Sequence, residues 1–509
     1  MDFEALYLEE KKQNAELLNE IRLLREQVEY LTKKLFGSHS EKTEARIGQL
    51  SLFDEAEVEA DPNAVEPIIE EVITKIKKRK GLKEDKLKDF PHEKIVHDID
   101  DDQKICSYCG KELSCIGESF VRTEVIFHPA KLTVVDHYVK TYECRKCRNT
   151  DNAFYLSALV PRPVIPHSYA HSSSVAYVMY QKYVNHMPLY RQEEYWKNLG
   201  LALTRQTMSN WVMIAANDWL KPVVNRMREI LLSQNYLHAD ETTVMVLNEE
   251  NRKNTTKSYM WVFGTVKESK TPIRIFKYAP TRRGDTAKDF LSGFHGYLIT
   301  DAYDGYEKVE DITRCYCWAH LRRYFMDAIP SNIENLEDTA PVKAIKYCNK
   351  VFEIEREIEK LNAEEKKKVR QEKSKPIVDE FFSWIGKNQN KYLSKSKLGS
   401  AFIYASNQQN GLRRFLEDGN IPLSNNIAEN AIRPFTVGRK NWMFSGSPRG
   451  AEASAIVYSI IETAKANNLN PYKYLLALLQ ELPKYEQIKD SSFYDEYMPW
   501  NEDIQEACK

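Results

Sequence analysis

The 509-residue chain contains no apolar run near the roughly 18 residues that a membrane-spanning helix needs, so no membrane partner is expected. Its opening residues, MDFEALYLEE, are acidic and lack the basic and apolar regions of a secretory signal, which makes a cytoplasmic location the expectation. Neither sign of charge is in excess: 73 Lys and Arg face 74 Asp and Glu, for a net charge of −1. A globally basic nucleic-acid binder is thereby excluded, and any such contact must come from local patches. Cysteine is sparse, nine residues in all, and in a reducing compartment these are expected as thiols or metal ligands. The rest is ordinary for soluble globular protein, 42% apolar and 29% charged. The chain is too long for one hydrophobic core, so three or more domains are expected.

Four of the cysteines carry the strongest spacing in the sequence. Cys106-x2-Cys109 and Cys144-x2-Cys147 each offer two thiolates to one tetrahedral Zn2+. Such a ribbon has no open coordination position, so its role is structural. Between the pairs, Val134, Val135, His137, Tyr138 and Val139 form a run suited to a strand. Cys115 lies outside the pattern and is expected free. Upstream, residues 14–35 carry a heptad seam with Asn14, Ile21, Val28 and Leu35 at a and Leu17, Leu24 and Leu31 at d. Branched residues at a with Leu at d favour a parallel two-stranded coiled coil, and the Asn fixes register. A single amphipathic helix packed on its own domain is the alternative. An acidic stretch from Asp54 to Glu71 and a basic one from Lys75 to Lys88 read as a solvated tether.

After Pro161, Pro163 and Pro166 the pattern turns helical. A helix over Leu189–Leu199 stops at Gly200, and Thr204 can cap a second one carrying Arg205, Gln206, Thr207, Ser209, Asn210 and Trp211. This is either a helix-turn-helix, with Arg205 and Gln206 toward DNA, or a plain helical hairpin. Strand-like runs follow at 236–246, 258–266, 273–278 and 296–300, with a helix at 285–294, which suits a mixed sheet covered by helices. Asp240 sits inside the first run, where propensity disfavours it. Asp301 follows an apolar run immediately, at a strand's carboxyl end, where α/β sheets place sites; its bland reading is a cap or turn. Residues 312–324 read as a strand entering a helix. They contain Cys317-x2-His320, a lone pair that cannot close a zinc site and is assigned structural use. Residues 331–400 read as a Lys/Glu-rich helical insertion, 451–466 as a helix, Asn470-Pro471 as the start of another, and 485–509 as a loosely ordered tail.

The densest polar segment is LSNNIAENAIRPFTVGRKNWMFSGS (423–447). Asn426 can cap a helix with Glu429 at its third position, and Pro434 should end that helix early. Arg433, Arg439 and Lys440 would then lie on or beside a basic loop. The bland reading is a capping box followed by that solvated loop.

Asp240, Asp301 and Glu429, in that order on a strand, a strand end and a later helix, resemble the acid triad of DDE transposases and integrases. The strings HADETT (238–243), TDAYDGY (300–306), CYCWAHLRRYF (315–325) and NNIAENAIRPFTVGRKNWMFSGS (425–447) resemble transposases of the insertion sequence 66 family. So do LFGSHSEK (35–42), the two CxxC pairs, NHMPLYRQEEYWKNLG (185–200) and ETAKANNLNPYKYL (462–475), so the likeness spans nearly the whole chain. Thr243 stands where the family pattern has proline, and Ser424 where it often has Asp.

The resemblance implies a multidomain α+β fold. Its parts would be a coiled-coil oligomerisation segment (1–45), charged linker (46–100), zinc-binding domain (101–160) and helical HTH-like DNA-binding domain (161–230). An RNase H-like α/β catalytic core (231–330 and 401–466, the latter with Glu429) would enclose a helical insertion (331–400), before a C-terminal helix and tail (467–509). It also implies Mg2+ or Mn2+ on Asp240, Asp301 and Glu429, and Zn2+ on the four cysteines. Arg433, Arg439 and Lys440 would hold phosphate. The partners would be double-stranded DNA (element terminal inverted repeats and target), a homodimer or higher oligomer, and small accessory proteins, in a nucleoid-associated setting. Two other readings stay open: a catalytically inactive, transposase-derived DNA-binding protein, and an RNase H-like nuclease.

Overall fold

A computed structural model describes residues 132–138, 141–143, 155–157, 162–330, 339–485 and 490–509. The heptad seam, the charged tether and Cys106, Cys109, Cys115, Cys144 and Cys147 lie outside these residues. A short antiparallel pair, β1 (Thr141–Glu143) and β2 (Tyr155–Ser157), opens the described chain. Over residues 134–138 the expected strand is not formed; Val139 lies outside the described residues. Val134, Val135 and Tyr138 are exposed, Tyr138 at 91%, and the described pairing involves Thr141–Glu143. Adjacent valines point to opposite faces of an extended chain, and among the described residues neither is covered.

Four helices follow: α1 (Ser172–Tyr183), α2 (Leu189–Asn198), α3 (Arg205–Ala215) and, after one π-turn, α4 (Lys221–Leu232). Gly200 closes α2 at φ 89°, a left-handed conformation that a Cβ would penalise. Thr204 then caps α3, its side chain accepting the Thr207 N–H at 3.2 Å. The α3 pattern buries Met208, Trp211, Val212 and Ala215, and Trp211 donates to Ser168 Oγ at 3.0 Å. Arg205 and Gln206 are left exposed on the first turn.

The central sheet has β3 (Tyr236–Met245), β4 (Lys257–Thr265), β5 (Arg274–Ala279), β6 (Gly296–Thr300) and β7 (Ile312–Tyr316), in the order β5-β4-β3-β6-β7. β3, β4 and β5 pair antiparallel, while β6 and β7 join parallel to β3, after the crossover helix α5 (Asp285–Phe290). Residues on β6 show how the sheet divides the interior. Leu298 enters a cluster with Val175, Met208, Met227 and Ile460, whereas the next residue, Ile299, enters one with Trp318, Phe325, Phe381 and Phe402. That is the two-residue period of a strand with both faces covered.

The second cluster is built by α6 (Trp318–Asp327), α7 (Ala340–Glu357), α8 (Lys375–Asn388) and α9 (Lys397–Asn407). This helical insertion extends past residue 400, because Leu412, Phe415, Ile421 and Leu423 pack into the same cluster. It leaves and re-enters the sheet at one place. The Trp318 N–H donates to the Leu423 carbonyl at 3.0 Å, and the Asn425 N–H to Cys317 Sγ at 3.1 Å.

Two expectations fail downstream. The helix in the 423–447 segment does not stop at Pro434: α10 runs from Asn426 to Trp442 with Pro434 inside, so Arg439 and Lys440 are helical. A proline in a helix interior costs about 3 kcal/mol. Ala428, Ala431, Ile432 and Phe435 are buried along α10, and each large apolar side chain contributes about 1.5–3 kcal/mol, so packing outweighs the local penalty. Asn426 is the first helical residue rather than the cap, and its predecessor Asn425 makes no side-chain cap bond, so the capping box is absent. After α11 (Pro448–Ala466) and α12 (Pro471–Glu481), the tail is also packed. Tyr494, Tyr497, Met498, Ile504 and Cys508 are buried, and Arg226 holds both Asp495 oxygens at 2.7 and 2.8 Å. Its polar average hid apolar residues spaced to reach one groove.

Candidate active site

The sheet itself brings the first two acids together. Tyr236 pairs with Tyr297, Leu237 with Leu298 and His238 with Ile299; carried two residues past the end of that pairing, the same register would align Asp240 with Asp301, and the charge of Asp301 acts on Asp240. Neighbouring strands lie about 4.8 Å apart. The third acid arrives on α10, which is fastened to β3 at both ends. At its start, Asn425 accepts from His238 Nδ1 at 2.7 Å through Oδ1 and donates through Nδ2 to the Ala239 carbonyl at 2.9 Å. The assignment of His238 Nδ1 as donor follows from the acceptor it meets. At its end, Arg439 Nη1 donates to the Thr243 carbonyl and lies 3.3 Å from Thr242 Oγ1. His238, Asp240 and Thr242 share one face of β3, so α10 lies along the face that presents Asp240, with Glu429 one turn after Asn425.

Asp240 is the electrostatic centre. Burial pushes its carboxyl up to about 8, and the charges of Glu241, Asp301 and Glu429 push in the same direction. At that strand spacing and an effective dielectric near 20, one neighbouring carboxylate costs roughly 3 kcal/mol. Asp240 accepts the Glu241 backbone N–H at 2.9 Å, and among the described residues no side chain donates to it. Glu241, one residue on, is differently placed. Its side chain is 1% exposed, accepts from Tyr306 Oη at 2.7 Å, and takes Arg282 Nε and Nη2 at 2.8 and 2.6 Å. Arg282 also reaches Asp301 Oδ2 at 3.9 Å and stacks on Tyr303, 4.0 Å from the ring centroid. Asp301 Oδ1 accepts the Tyr303 N–H at 3.0 Å, so the turn role and exposure toward the site coexist.

Glu429 leans toward α6. Its Oε2 meets Arg323 at 3.2 Å and its Oε1 lies 3.6 Å from His320 Nδ1. His320 of Cys317-x2-His320 thus faces Glu429; burial lowers its pKa, and the charges of Glu429 and Asp301 oppose that shift. Neither Glu429 Oε1 nor His320 Nδ1 has a hydrogen-bond partner, though both atoms are buried.

Carboxylates whose charges push one another's pKa up, and a buried carboxylate oxygen without a donor, suit a cation. The donor set of Asp240, Asp301 and Glu429 is all oxygen, which suits Mg2+. The three acids do not close to a single tight trio; among the described residues only Cys317, His320 and Glu429 do so, within 4.8 Å.

The basic residues separate. Arg433 and Lys440 are exposed on α10, whereas Arg439 is a strut between α10 and β3 with its pKa lowered by burial. Sequence reasoning passed over Glu241 and Arg282, and it named His320 with Cys317 only as a structural pair. For Glu241 the signal was present, since the strand-propensity argument that singled out Asp240 applies to it equally. Arg282 gave none.

Fold and site together define a multidomain α+β protein whose mixed sheet carries a cluster of acids at the carboxyl end of its parallel strands. Residues 167–453 match the Transposase IS66 family, and the chain belongs to that family. The zinc-finger binding domain of transposase IS66 matches residues 103–148, which include all four paired cysteines, and the IS66 C-terminal element matches 459–500. Residues 23–95 match a family described as Transposase C of IS166 homeodomain. Membership suggests transposition, and the zinc-finger match supports zinc and DNA binding. Similar proteins include three from Sinorhizobium fredii (strain NBRC 101917 / NGR234). Uncharacterized protein y4hP is 29% identical over 503 residues, 93% of this chain and 87% of its own. Uncharacterized protein y4jD is 27% identical over 520 residues, 97% of each. Uncharacterized protein y4qI is 31% identical over 360 residues, 68% of this chain and 65% of its own. Among the described residues no helix is long and apolar enough to cross a membrane.

Proposed function

We propose that this chain is a DNA transposase of DDE type on an RNase H-like sheet, with Asp240, Asp301 and Glu429 holding Mg2+ or Mn2+. It cleaves at the ends of its insertion sequence and transfers the freed strands into target DNA. The observation that carries this reading is the parallel register of β3 and β6, whose continuation would align Asp240 with Asp301. The tie from Asn425 to His238 and Ala239, which brings Glu429 to the same strand, supports it.

Two divalent ions, when bound, stabilise the attacking and leaving oxygens of an in-line displacement. Asp240, Asp301 and Glu429 would hold these ions, Asp240 serving both and Asp301 and Glu429 one each. Water attacks the element-end phosphodiester first and frees a 3′-hydroxyl, which then attacks target DNA. Arg433 and Lys440, exposed on the helix that carries Glu429, hold the phosphate backbone, and Arg205 and Gln206 on α3 face the terminal repeat. Arg439 contributes by fixing α10. Cys106, Cys109, Cys144 and Cys147 hold one structural zinc, and the heptad seam pairs two chains so that two element ends meet. Small accessory proteins of the same element complete the assembly on the nucleoid.

The test is cleavage of labelled element-end DNA in Mg2+ beside gel-shift binding in Ca2+. Asp240→Asn, Asp301→Asn and Glu429→Gln should each abolish cleavage and leave binding nearly unchanged. Near-wild-type cleavage by Glu429→Gln would remove Glu429 from the triad.

A further inference from the structure

The tightest cluster of ligand atoms in the described residues is not the acid triad. It is Cys317, His320 and Glu429, whose ligand atoms all lie within 4.8 Å of one another. Cys317 caps α6 and His320 sits in its first turn, so the x2 spacing puts both on one side of the helix start; Glu429 comes across from α10. In a tetrahedral site with metal–N and metal–O bonds near 2.1 Å, neighbouring ligand atoms stand about 3.4 Å apart. His320 Nδ1 and Glu429 Oε1 are 3.6 Å apart, and both are buried with no hydrogen-bond partner. The sulfur is already oriented, because the Asn425 N–H donates to it at 3.1 Å, the kind of outer contact that fixes a metal-bound thiolate. His320 and Glu429 keep 21% and 28% of their side chains exposed, so an ion and a fourth, solvent ligand can enter.

We propose that Cys317, His320 and Glu429 form a second metal site, selective for a thiophilic divalent ion such as Zn2+, which withdraws Glu429 from the acid cluster when filled. A thiolate, an imidazole and one carboxylate select Zn2+ or Co2+, whereas Mg2+ takes oxygen ligands and keeps its waters. The two sites therefore differ in ion but share one residue. The binding half of the proposal stands on geometry alone. The inhibitory half rests on the reading of Glu429 as a Mg2+ ligand, since an ion that holds its carboxylate beside Cys317 leaves Asp240 and Asp301 without their third partner.

The experiment uses the full chain with its four-cysteine motif preloaded with Zn2+, titrated with Co2+. The wild-type minus Cys317→Ser difference spectrum should show a thiolate-to-cobalt charge-transfer band saturating at one equivalent, because the four-cysteine contribution cancels. Ser keeps an acceptor for the Asn425 N–H, so the local fold should survive. His320→Ala carries the same test if it does not, and should weaken Co2+ binding by at least the ~10–100-fold that loss of an outer hydrogen-bond partner costs. A featureless difference spectrum with both variants folded overturns the site. In the second arm, Zn2+ is added to Mg2+-dependent end cleavage and each protein is compared with its own zinc-free rate. Zn2+ should inhibit wild type, and Cys317→Ser should need at least about tenfold more Zn2+ for the same fractional loss. A cobalt band without zinc inhibition would keep the site, overturn the inhibitory half, and count against Glu429 in the triad.

Discussion

Asp240 and Glu241 are neighbours on one strand, both pushed up in pKa by burial, and they differ in the partners their carboxylates meet. Glu241 accepts from Tyr306 and from two nitrogens of Arg282, and so has its charge met within the protein. Asp240 accepts a backbone N–H and otherwise faces acids. A buried carboxylate with its donors in place is a structural member; one surrounded by its own kind is stable only when a proton or a cation joins it. The pair thus separates, within two residues, an acid whose charge is met by protein donors from one that faces other acids.

The largest expected effect breaks the pair by function. Asp240→Asn should lower element-end cleavage by more than about a hundredfold, the scale on which one essential electrostatic contact acts, with DNA binding retained. Glu241→Gln should leave a measurable rate and lower stability by about 1–2 kcal/mol in urea unfolding, because an amide cannot accept from both Tyr306 and Arg282 with full charge. The lower part of that range applies because Arg282 is 42% exposed and screened. Equal loss of cleavage in both variants would erase the distinction.

A smaller effect sharpens it by pH. Below the ordinary value of 3.8, folded and unfolded chains both carry Asp240 protonated. Between there and about 8 the unfolded chain ionises while the folded one does not, so this group's contribution to stability falls as pH rises and is gone above the folded value. In Mg2+-free buffer Asp240→Asn should therefore melt a few degrees higher than wild type at pH 8, at roughly 2–4 °C per kcal/mol, with the gap closing toward pH 4. Mg2+ should raise the melting temperature of wild type and not of the variant. A gap that widens toward low pH would show that the carboxyl is not held protonated.

The smallest effect extends the contrast to the cations. Arg433→Ala and Lys440→Ala should each reduce the salt slope of DNA binding by about 0.9. Arg439→Ala should instead destabilise α10 against β3, because its guanidinium meets the Thr243 carbonyl. Gel shifts at several salt concentrations beside thermal melts distinguish the two behaviours.

Much of the sheet was legible because its strands are marked by both pattern and interruption. The runs at 236–246 and 296–300 read as strands, and Asp240 and Asp301 stood out against them. The register whose continuation would align one with the other was not legible, since it depends on a parallel pairing across a crossover. The passage of α10 through Pro434 was hidden for a related reason: local propensity was correct about the cost and blind to Phe435 and Ile432 finding a core. Cys317 and His320 looked like an incomplete ligand set because their third partner, Glu429, is more than a hundred residues away in the chain. The packed tail was missed because average polarity conceals spacing.

The closed base of the helical insertion has a consequence for how such a chain can change over time. Everything between Trp318 and Leu423 departs and returns through two backbone-anchored contacts, Trp318 N–H to Leu423 and Asn425 N–H to Cys317. The position of Glu429 in space is thereby uncoupled from its position in the sequence. Doubling the length of a closed loop costs only about 0.6 kcal/mol in chain entropy. Beyond α6, which keeps His320 and Arg323 against Glu429, the excursion is free to grow, shrink or be exchanged as long as its two ends still meet and something still covers Ile299 and Cys315. Lineages with different insertions can keep one chemistry, and a shorter graft bridging those two contacts is the natural starting point for a compact version of the enzyme.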